Sequence, residues 1–172
     1  MFWLIPQTAW LDRDFVFNQP CGVFPVLLER LRGTPARAKE LVAGFSEDML
    51  ATRVNSKWSV KEQLGHLVDL QQLDEQRLRE FLGHAPVLSM ADLQNRATEL
   101  ANHRQRPIAD ILRKLAAARN EFVNKLEILT NEEVGIASIH PRLNKSIRLL
   151  DWVYFLAEHD DHHLAHARQV IR

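Results

Sequence analysis

The chain has 172 residues, of which 46% are hydrophobic and 26% are charged, with only six glycines; this composition is typical of one helical domain. Its 22 basic and 22 acidic residues cancel, so no strong field favours nucleic acid or an anionic membrane as a partner. Cys21 is the single cysteine, which excludes an intramolecular disulfide and a CxxC metal site. No apolar run approaches the roughly 18 residues of a membrane span, and the start lacks a signal-peptide pattern, so we expect a cytoplasmic protein.

The first 21 residues are predicted to form an irregular N-terminal arm. They carry several aromatic side chains without a helical period, and Pro6 and Pro20 mark irregular structure. We expect residues 1–21 to pack across the domain or onto a second subunit. We interpret Cys21 as a small buried hydrophobe rather than as a nucleophile.

Apolar periodicity predicts four substantial helices in the remaining chain. They cover residues 24–43, 59–82, 107–129 and 146 to the C-terminus. A capping box of Ser59 and Glu62 starts the second helix, and Gly33-Thr34-Pro35 predicts a kink or a break in the first. Four helices around one apolar centre predict an all-α four-helix bundle over residues 22–172.

The segments between these helices are weaker in pattern. Residues 90–101 are predicted to form a minor helix capped by Ser89, while His84 and His103 have no local partners and are interpreted as surface residues. Residues 130–145 are predicted to be a loop that covers one end of the bundle as a flap, with Ser146 capping the final helix.

The last helix carries an unusual concentration of histidine. Four of the eight histidines lie within residues 158–166: His159, His162, His163 and His166. At about 100° per residue, His159 and His163 share the apolar, core-facing side of the helix. Two imidazoles at i and i+4 can reach one ion about 2.0–2.1 Å from each nitrogen. His162 and His166 form a second pair of this spacing, so the helix face favours the first pair, and a third ligand must come from elsewhere.

The second helix offers that third residue. His66 lies on the margin of its apolar face, flanked by Glu62 and Asp69. His66 is either a half-buried surface residue or the third metal ligand, in which case Asp69 is an outer acceptor or a catalytic carboxylate. Three protein ligands with an open position are typical of catalytic metal sites. Imidazole ligands suit Zn, Ni, Cu or Fe without selecting among them.

Two segments together resemble the DinB/YfiT-like superfamily. Residues 58–69, WSVKEQLGHLVD, are similar to its segment of tryptophan, serine, glutamate, histidine and aspartate. Residues 159–166, HDDHHLAH, are similar to its C-terminal HxxxHH-type helix end. Residues 31–37 and 126–133 add to a likeness that covers roughly residues 22–172.

The resemblance implies a four-helix bundle, often dimeric, with a divalent metal held by His66, His159 and His163. Zn or Ni is the preferred metal, with Fe or Mn as alternatives. Some relatives are thiol-dependent S-transferases or isomerases that use bacillithiol, mycothiol or glutathione. The chain departs from the pattern at His166, where many relatives have glutamine, so a fourth imidazole competes for the ion or lies outside its ligand shell.

Three functions remain open on these grounds. The first, which is the function we expect, is a metal-dependent S-transferase that joins a low-molecular-weight thiol to a small electrophile. The second is a metal-dependent hydrolase in which Asp69 or Asp160 moves the proton. The third is a binding or stress-response protein that stores or senses metal, or has lost it. The choice between transferase and hydrolase rests on the family likeness alone.

Overall fold

The structure is a computed structural model and describes residues 6–171; the first five residues of the predicted arm lie outside the described part. Its helices are α1 (Phe24–Val42), α2 (Glu47–Ala51), α3 (Val60–Asp69), α4 (Gln71–Leu82), α5 (Arg96–Ala101), α6 (Ile108–Glu127), α7 (Asn131–Val134) and α8 (Leu149–Val170). Two short strands, β1 (Ala137–His140) and β2 (Lys145–Arg148), precede α8. Between residues 6 and 171, no helix is both long enough and apolar enough to cross a membrane.

The predicted four-helix bundle is confirmed. Helix α1 packs against α6 and α8, and α3 packs against the same two helices. Helices α1 and α3, which begin the first and second long helical segments of the chain, therefore lie diagonally across the bundle rather than side by side. Helix α4 continues the unit that α3 begins.

A polar layer divides the core into two apolar clusters. One cluster lies around Trp152, Phe81 and Phe122, and the other lies around Leu64 and Leu115. Each long helical unit contributes to both clusters and places polar side chains between them. These buried polar residues are Thr34 of α1, His66 and Asp74 of the α3–α4 unit, Arg119 of α6, and His159, Asp160 and His163 of α8.

The first helix runs through the predicted point of interruption. Pro35 lies inside α1, which nonetheless continues as one helix of 19 residues, so the predicted break is absent. The carbonyl of Arg30 accepts hydrogen bonds from Thr34 Oγ1 at 3.3 Å and from Arg37 Nη2 at 2.9 Å. These bonds and the burial of Leu31 and Ala38 on either side of the proline hold this turn in place.

The second predicted helix is two helices. Ser59 and Glu62 form the predicted capping box at its start. Leu70 separates α3 from α4, although it keeps right-handed helical dihedral angles and its N–H donates to the carbonyls of His66 and Val68. No glycine or proline stands at this point. The interruption is confined to this one residue, and the sequence pattern did not predict it.

Two other segment predictions need correction. The minor helix covers only α5, and Ser89 bonds to Glu80 instead of capping it. The predicted loop of residues 130–145 contains α7 and β1, and the antiparallel hairpin of β1 and β2 pairs Ala137 with Arg148. The cap position of α8 is consequently Arg148, not Ser146.

The described part of the arm, residues 6–21, lies along α8. Asp151 of α8 accepts hydrogen bonds from the backbone N–H groups of Asn18 and Gln19, both at 2.9 Å. The ring of Trp10 contacts Phe155, with the ring centroids 4.9 Å apart. Cys21 is exposed, so its predicted burial is wrong; it precedes α1 at a turn that the core does not cover.

Candidate metal centre

Three imidazoles converge in the polar layer. His66 comes from α3, and His159 and His163 come from successive turns of α8. One ring nitrogen of each lies within 4.8 Å of the corresponding nitrogens of the other two. The two Nε2 atoms of His159 and His163 are 3.1 Å apart. The rings of His66 and His163 have centroids 4.7 Å apart, so the structure brings together all three residues singled out in the sequence.

Neighbouring polar groups set the tautomers of two of these rings. Nδ1 of His163 lies 2.6 Å from Oε1 of Gln63, and because that oxygen only accepts, the ring proton is on Nδ1. Nδ1 of His66 lies 3.0 Å from Oγ1 of Thr98, whose hydroxyl donates to Asp69 at 2.8 Å. Each ring therefore presents its Nε2 lone pair to the shared gap.

Burial keeps the three rings neutral. It lowers the pKa of His66 to about 4, against a weaker raising effect of Asp69. It also lowers the pKa values of His159 and His163 well below the ordinary range, and the neighbouring imidazoles add to that effect. At neutral pH all three side chains are in the unprotonated form that binds metals.

The donor set fits a divalent ion. Two nitrogens that are each about 2.0–2.1 Å from one tetrahedral ion lie about 3.3 Å apart, close to the 3.1 Å between the Nε2 atoms of His159 and His163. Three neutral imidazoles, two of them held by outer hydrogen bonds, are a donor set that Zn, Ni, Cu and Fe accept. The three histidines can thus hold such an ion.

A cavity of about 200 Å³ adjoins the three histidines. Its walls are largely aromatic and aliphatic, and include Trp10, Trp58, Leu73 and Phe155. The Trp58 ring lies 5.0 Å from that of His66, and the Trp10 ring lies 4.8 Å from that of His159, measured between centroids. The pocket therefore has apolar walls beside the imidazoles, which lie at one side of it.

The two carboxylates predicted to be catalytic occupy different places. Asp69 is linked to His66 through Thr98 and does not bond to the imidazoles directly. Its Oδ2 accepts hydrogen bonds from Thr98 and, at 2.8 Å, from Nε2 of His103. Burial raises the pKa of Asp69, but these hydrogen bonds outweigh burial and hold it below the ordinary value. The carboxylate of Asp160 is fully buried and accepts from Arg119 at 2.7 and 3.0 Å and from Thr34 at 2.8 Å.

The structure adds residues that sequence reasoning missed. Gln63 stands three residues before His66 on the same helix face, which is a signal that could have identified it. Thr98 and His103 carried no such signal, because their contacts with His66 and Asp69 span 32 and 34 residues. His103 is 5% exposed, so its interpretation as a surface residue is wrong.

The second histidine pair lies beside the three converging rings. His162 has its Nδ1 2.8 Å from Nε2 of Gln7 in the arm, and its ring centroid is 5.5 Å from that of His163. The ring of His166 is tilted against that of His162, with the centroids 4.7 Å apart. Within residues 6–171, the group of three converging ligand atoms includes neither of them.

Comparison with known proteins gives consistent results. The profile of the DinB superfamily matches residues 30–167. The uncharacterized protein YuaE of Bacillus subtilis (strain 168) is 22% identical over 141 residues, which are 74% of this chain and 86% of that protein. A solved structure, described as YfiT from Bacillus subtilis, a probable metal-dependent hydrolase with an unusual four-helix bundle topology, shares the fold with a TM-score of 0.80. It is 20% identical and covers 92% of this chain and 91% of its own. The matched residues include the bundle and all three converging histidines, and the chain belongs to the DinB superfamily.

Proposed function

We propose that His66, His159 and His163 hold one divalent metal ion and that the protein is a metal-dependent hydrolase of a small molecule. The observation that carries this proposal is the convergence of three neutral imidazoles at the wall of a pocket. The description of YfiT as a probable metal-dependent hydrolase supports it. Three ligands beside a cavity leave room for a reactant, as in catalytic rather than structural sites.

The chain's own side chains have distinct roles in this proposal. Gln63 and the pair of Thr98 and Asp69 hold the imidazoles in orientation, so Asp69 acts as an outer acceptor. Asp160 is a structural partner of Arg119, because both of its oxygens are already engaged. When bound, a divalent ion supplies Lewis acidity that lowers the pKa of a water or thiol ligand. In hydrolysis the water oxygen bonds to the electrophilic carbon, and the leaving group departs with a proton.

Thiol S-transfer is the second candidate function. It is favoured by the hydrogen bonding of Asp69 and Asp160, which leaves neither carboxylate free to accept a proton from a nucleophile. A thiol needs less help from a base than water does, since its pKa is near 8.5. In this reaction the sulfur of a low-molecular-weight thiol bonds to the electrophile, the leaving group departs, and the thiol proton passes to solvent. The apolar walls suit such an electrophile.

Three further expectations accompany the proposal. Zinc or nickel is the preferred metal, with iron or manganese as alternatives; imidazole ligands suit zinc, nickel and iron, whereas manganese prefers oxygen ligands. The family likeness favours a homodimer, which light scattering on purified protein tests. The cytoplasmic location is tested by fractionation of the cells that express the protein.

Metal content tests the ligand assignment. We expect His163→Ala, purified without an affinity tag, to lose its metal as measured by elemental mass spectrometry while keeping its helical circular dichroism. The matched control is His162→Ala, which removes a neighbouring imidazole outside the group of three and should keep the metal. Full occupancy in both variants would show that the ligand assignment is wrong.

A substrate screen separates the candidate functions. The metal-loaded protein is assayed with small esters and amides, and with a chlorinated aromatic electrophile in the presence of low-molecular-weight thiols. Hydrolysis without thiol, absent from His163→Ala, supports the first function. Turnover that requires a thiol supports the second and rejects the first. A metal-loaded protein inactive in both assays supports the non-catalytic alternative.

A further inference from the structure

The wall of the pocket formed by the β1–β2 hairpin carries polar groups that the proposed reaction does not use. His140 ends β1, Arg142 lies in the turn before β2, and both residues line the cavity together with Arg77 of α4. The hairpin is fixed in place because the N–H of Ile139 donates to the carbonyl of Pro86 and its carbonyl accepts from Leu88, both at 3.0 Å. The polar groups are thus held at the cavity by a rigid element.

Two of these groups are buried without a hydrogen-bond partner. They are Nε2 of His140 and Nη2 of Arg142, judged within residues 6–171. His140 is 2% exposed. Its Nδ1 accepts from the N–H of Leu143 at 3.3 Å, so the proton of the neutral ring is on Nε2, which is a donor. A buried donor without an acceptor costs free energy, and such an orphan beside a cavity indicates a missing acceptor.

The same wall carries two guanidinium groups, of which Arg77 is attracted by Asp74 and Glu80 without a direct ion pair. Burial and the nearby guanidinium groups of Arg77 and Arg142 lower the pKa of His140 to about 4. Arg77 donates to the backbone carbonyl of Ser89 at 2.7 and 3.0 Å, which does not neutralise its charge. Within the described residues, neither arginine forms an ion pair.

The two acidic side chains at the cavity form their hydrogen bonds elsewhere and not with Arg77 or Arg142. Asp74 is engaged by Arg119, with its Oδ2 3.2 Å from Nη1. Asp92 accepts from the backbone N–H groups of Gln94 and Arg96, at 3.0 and 2.9 Å. His140 and Arg142 of the hairpin and Arg77 of α4 therefore offer one neutral donor and two guanidinium groups to whatever occupies the pocket.

We propose that Arg142, His140 and Arg77 form a subsite for a carboxylate group of the substrate. The planar guanidinium of Arg142 and the Nε2–H of His140 are donors that a carboxylate accepts. Phe155 connects this subsite to the histidines: its ring lies 5.3 Å from that of His140 and 4.9 Å from that of Trp10, which contacts His159. The substrate class is then a small acid with an apolar body and its reactive bond at the three histidines. This substrate class rests on the proposed function, whereas the anion subsite does not require it.

Binding of benzoate tests the subsite without any turnover. We measure calorimetric titrations of benzoate, of its neutral isostere benzamide and of inorganic phosphate into the full-length protein, metal-loaded and after chelation. The variants are Arg142→Gln and the control Arg113→Gln, which removes the same charge from an exposed site on α6. We expect benzoate to bind the wild type with or without metal, and Arg142→Gln to weaken it about tenfold or more, whereas Arg113→Gln does not.

Four outcomes overturn the subsite. They are equal binding of benzoate to Arg142→Gln and wild type, equal binding of benzamide, no benzoate binding, and benzoate binding that disappears on chelation. Benzoate binding that disappears on chelation would show that benzoate binds the metal ion. This result would reject the subsite and support the metal centre. If the wild type binds phosphate instead of benzoate and Arg142→Gln abolishes that binding, the subsite recognises a phosphate group and the carboxylate proposal is rejected.

Thermal stability gives an independent measurement. Arg142 is partly buried, its Nη2 has no hydrogen-bond partner, and its guanidinium lies over the ring of Phe155. Methionine can keep the contact with that ring, so Arg142→Met should leave the melting temperature of the ligand-free protein unchanged or raise it. A fall of several degrees would show that Arg142 supports the fold, and would overturn its assignment to substrate binding. Metal content equal to that of the wild type in both Arg142 variants shows that the histidines are intact.

Discussion

At the scale of single residues, the outer hydrogen bonds of the imidazoles carry a testable consequence. Gln63 holds the proton of His163 on Nδ1 and thereby directs Nε2 into the shared gap. We expect Gln63→Leu to lower metal affinity about 10–100-fold, the usual effect of losing such a partner. Competition with a fluorescent chelator measures the affinity.

The control for this variant is Gln72→Leu. Gln72 is exposed on α4, so the same change of side chain there should leave the metal affinity unchanged. Equal affinities of Gln63→Leu and the wild type would contradict the orienting role of Gln63.

Gly65 illustrates a close approach between two elements. A Cβ at this position would lie 2.3–2.5 Å from ring atoms of His103, far inside contact distance. The ring cannot move freely, because its Nε2 is bonded to Asp69. We expect Gly65→Ala to destabilise the protein by about 1–3 kcal/mol in urea unfolding.

Gly33→Ala is the matched control. Gly33 also lies inside a helix, but a Cβ there would meet only Nε of Arg37, at 3.9 Å. Alanine favours a helix over glycine by up to about 1 kcal/mol, so this variant should be stabilised. A neutral Gly65→Ala would mean that His103 does not occupy the described position.

At the scale of elements, a buried carboxylate of α8 is one of the groups that bind the arm. Asp151 accepts from the N–H groups of Asn18 and Gln19 and from Arg148. Burial raises the pKa of Asp151, but the hydrogen bonds from Arg148 and Gln19 outweigh burial and hold it below the ordinary value. We expect Asp151→Asn to cost about 1–3 kcal/mol of unfolding free energy at neutral pH.

The pH dependence of this loss has a definite sign. A carboxylate whose pKa is lowered in the folded state contributes stability above its unfolded pKa of about 3.9, and this contribution is lost as the pH falls through the folded pKa. The difference between wild type and Asp151→Asn should therefore be constant from pH 7 to about 4 and shrink below that. Asp14→Asn, at an exposed residue of the arm, is the control and should change nothing. A difference that grows on acidification would contradict the assignment.

At the scale of the whole molecule, the polar layer lies between two apolar clusters that do not depend on a metal. Trp152 and Phe122 lie in one cluster, and Leu64 and Leu115 lie in the other, all fully buried. The diagonal pair of Arg119 and Asp160 links α6 to α8 across the core between the two clusters. Two apolar clusters therefore stabilise the bundle. The bundle positions the histidines, and its folding does not depend on them.

Removal of the metal tests this independence. We expect chelation to leave the helical circular dichroism unchanged and to lower the melting temperature by about 5–10 °C, the effect of losing a ligand present at a hundred times its Kd. The melting temperature of His163→Ala should not respond to the chelator. Unfolding of the wild type on chelation would show that the metal is structural.

Local pattern was sufficient for much of this molecule. The capping box of Ser59 and Glu62 and the approximate positions of the first and third long helices follow from short-range periodicity and hydrogen bonding, and the structure confirms them. The common face of His159 and His163 follows in the same way, because helical geometry relates residues four apart wherever the helix lies. The amino-acid sequence by itself therefore determined the bundle and two of the three converging imidazoles. For His66 it left two interpretations open, a half-buried surface residue or the third metal ligand.

Only the tertiary structure decided the surroundings of the site. The docking of the hairpin that presents Arg142 and the contacts of Thr98 and His103 all depend on segments that are distant in the chain. No periodicity relates such segments, because their contacts are made by the packing of whole helices and loops against one another. The exposure of Cys21 and the burial of His103 were predicted wrongly for the same reason: burial is a property of the packed chain, and a residue's immediate neighbours in sequence do not fix it.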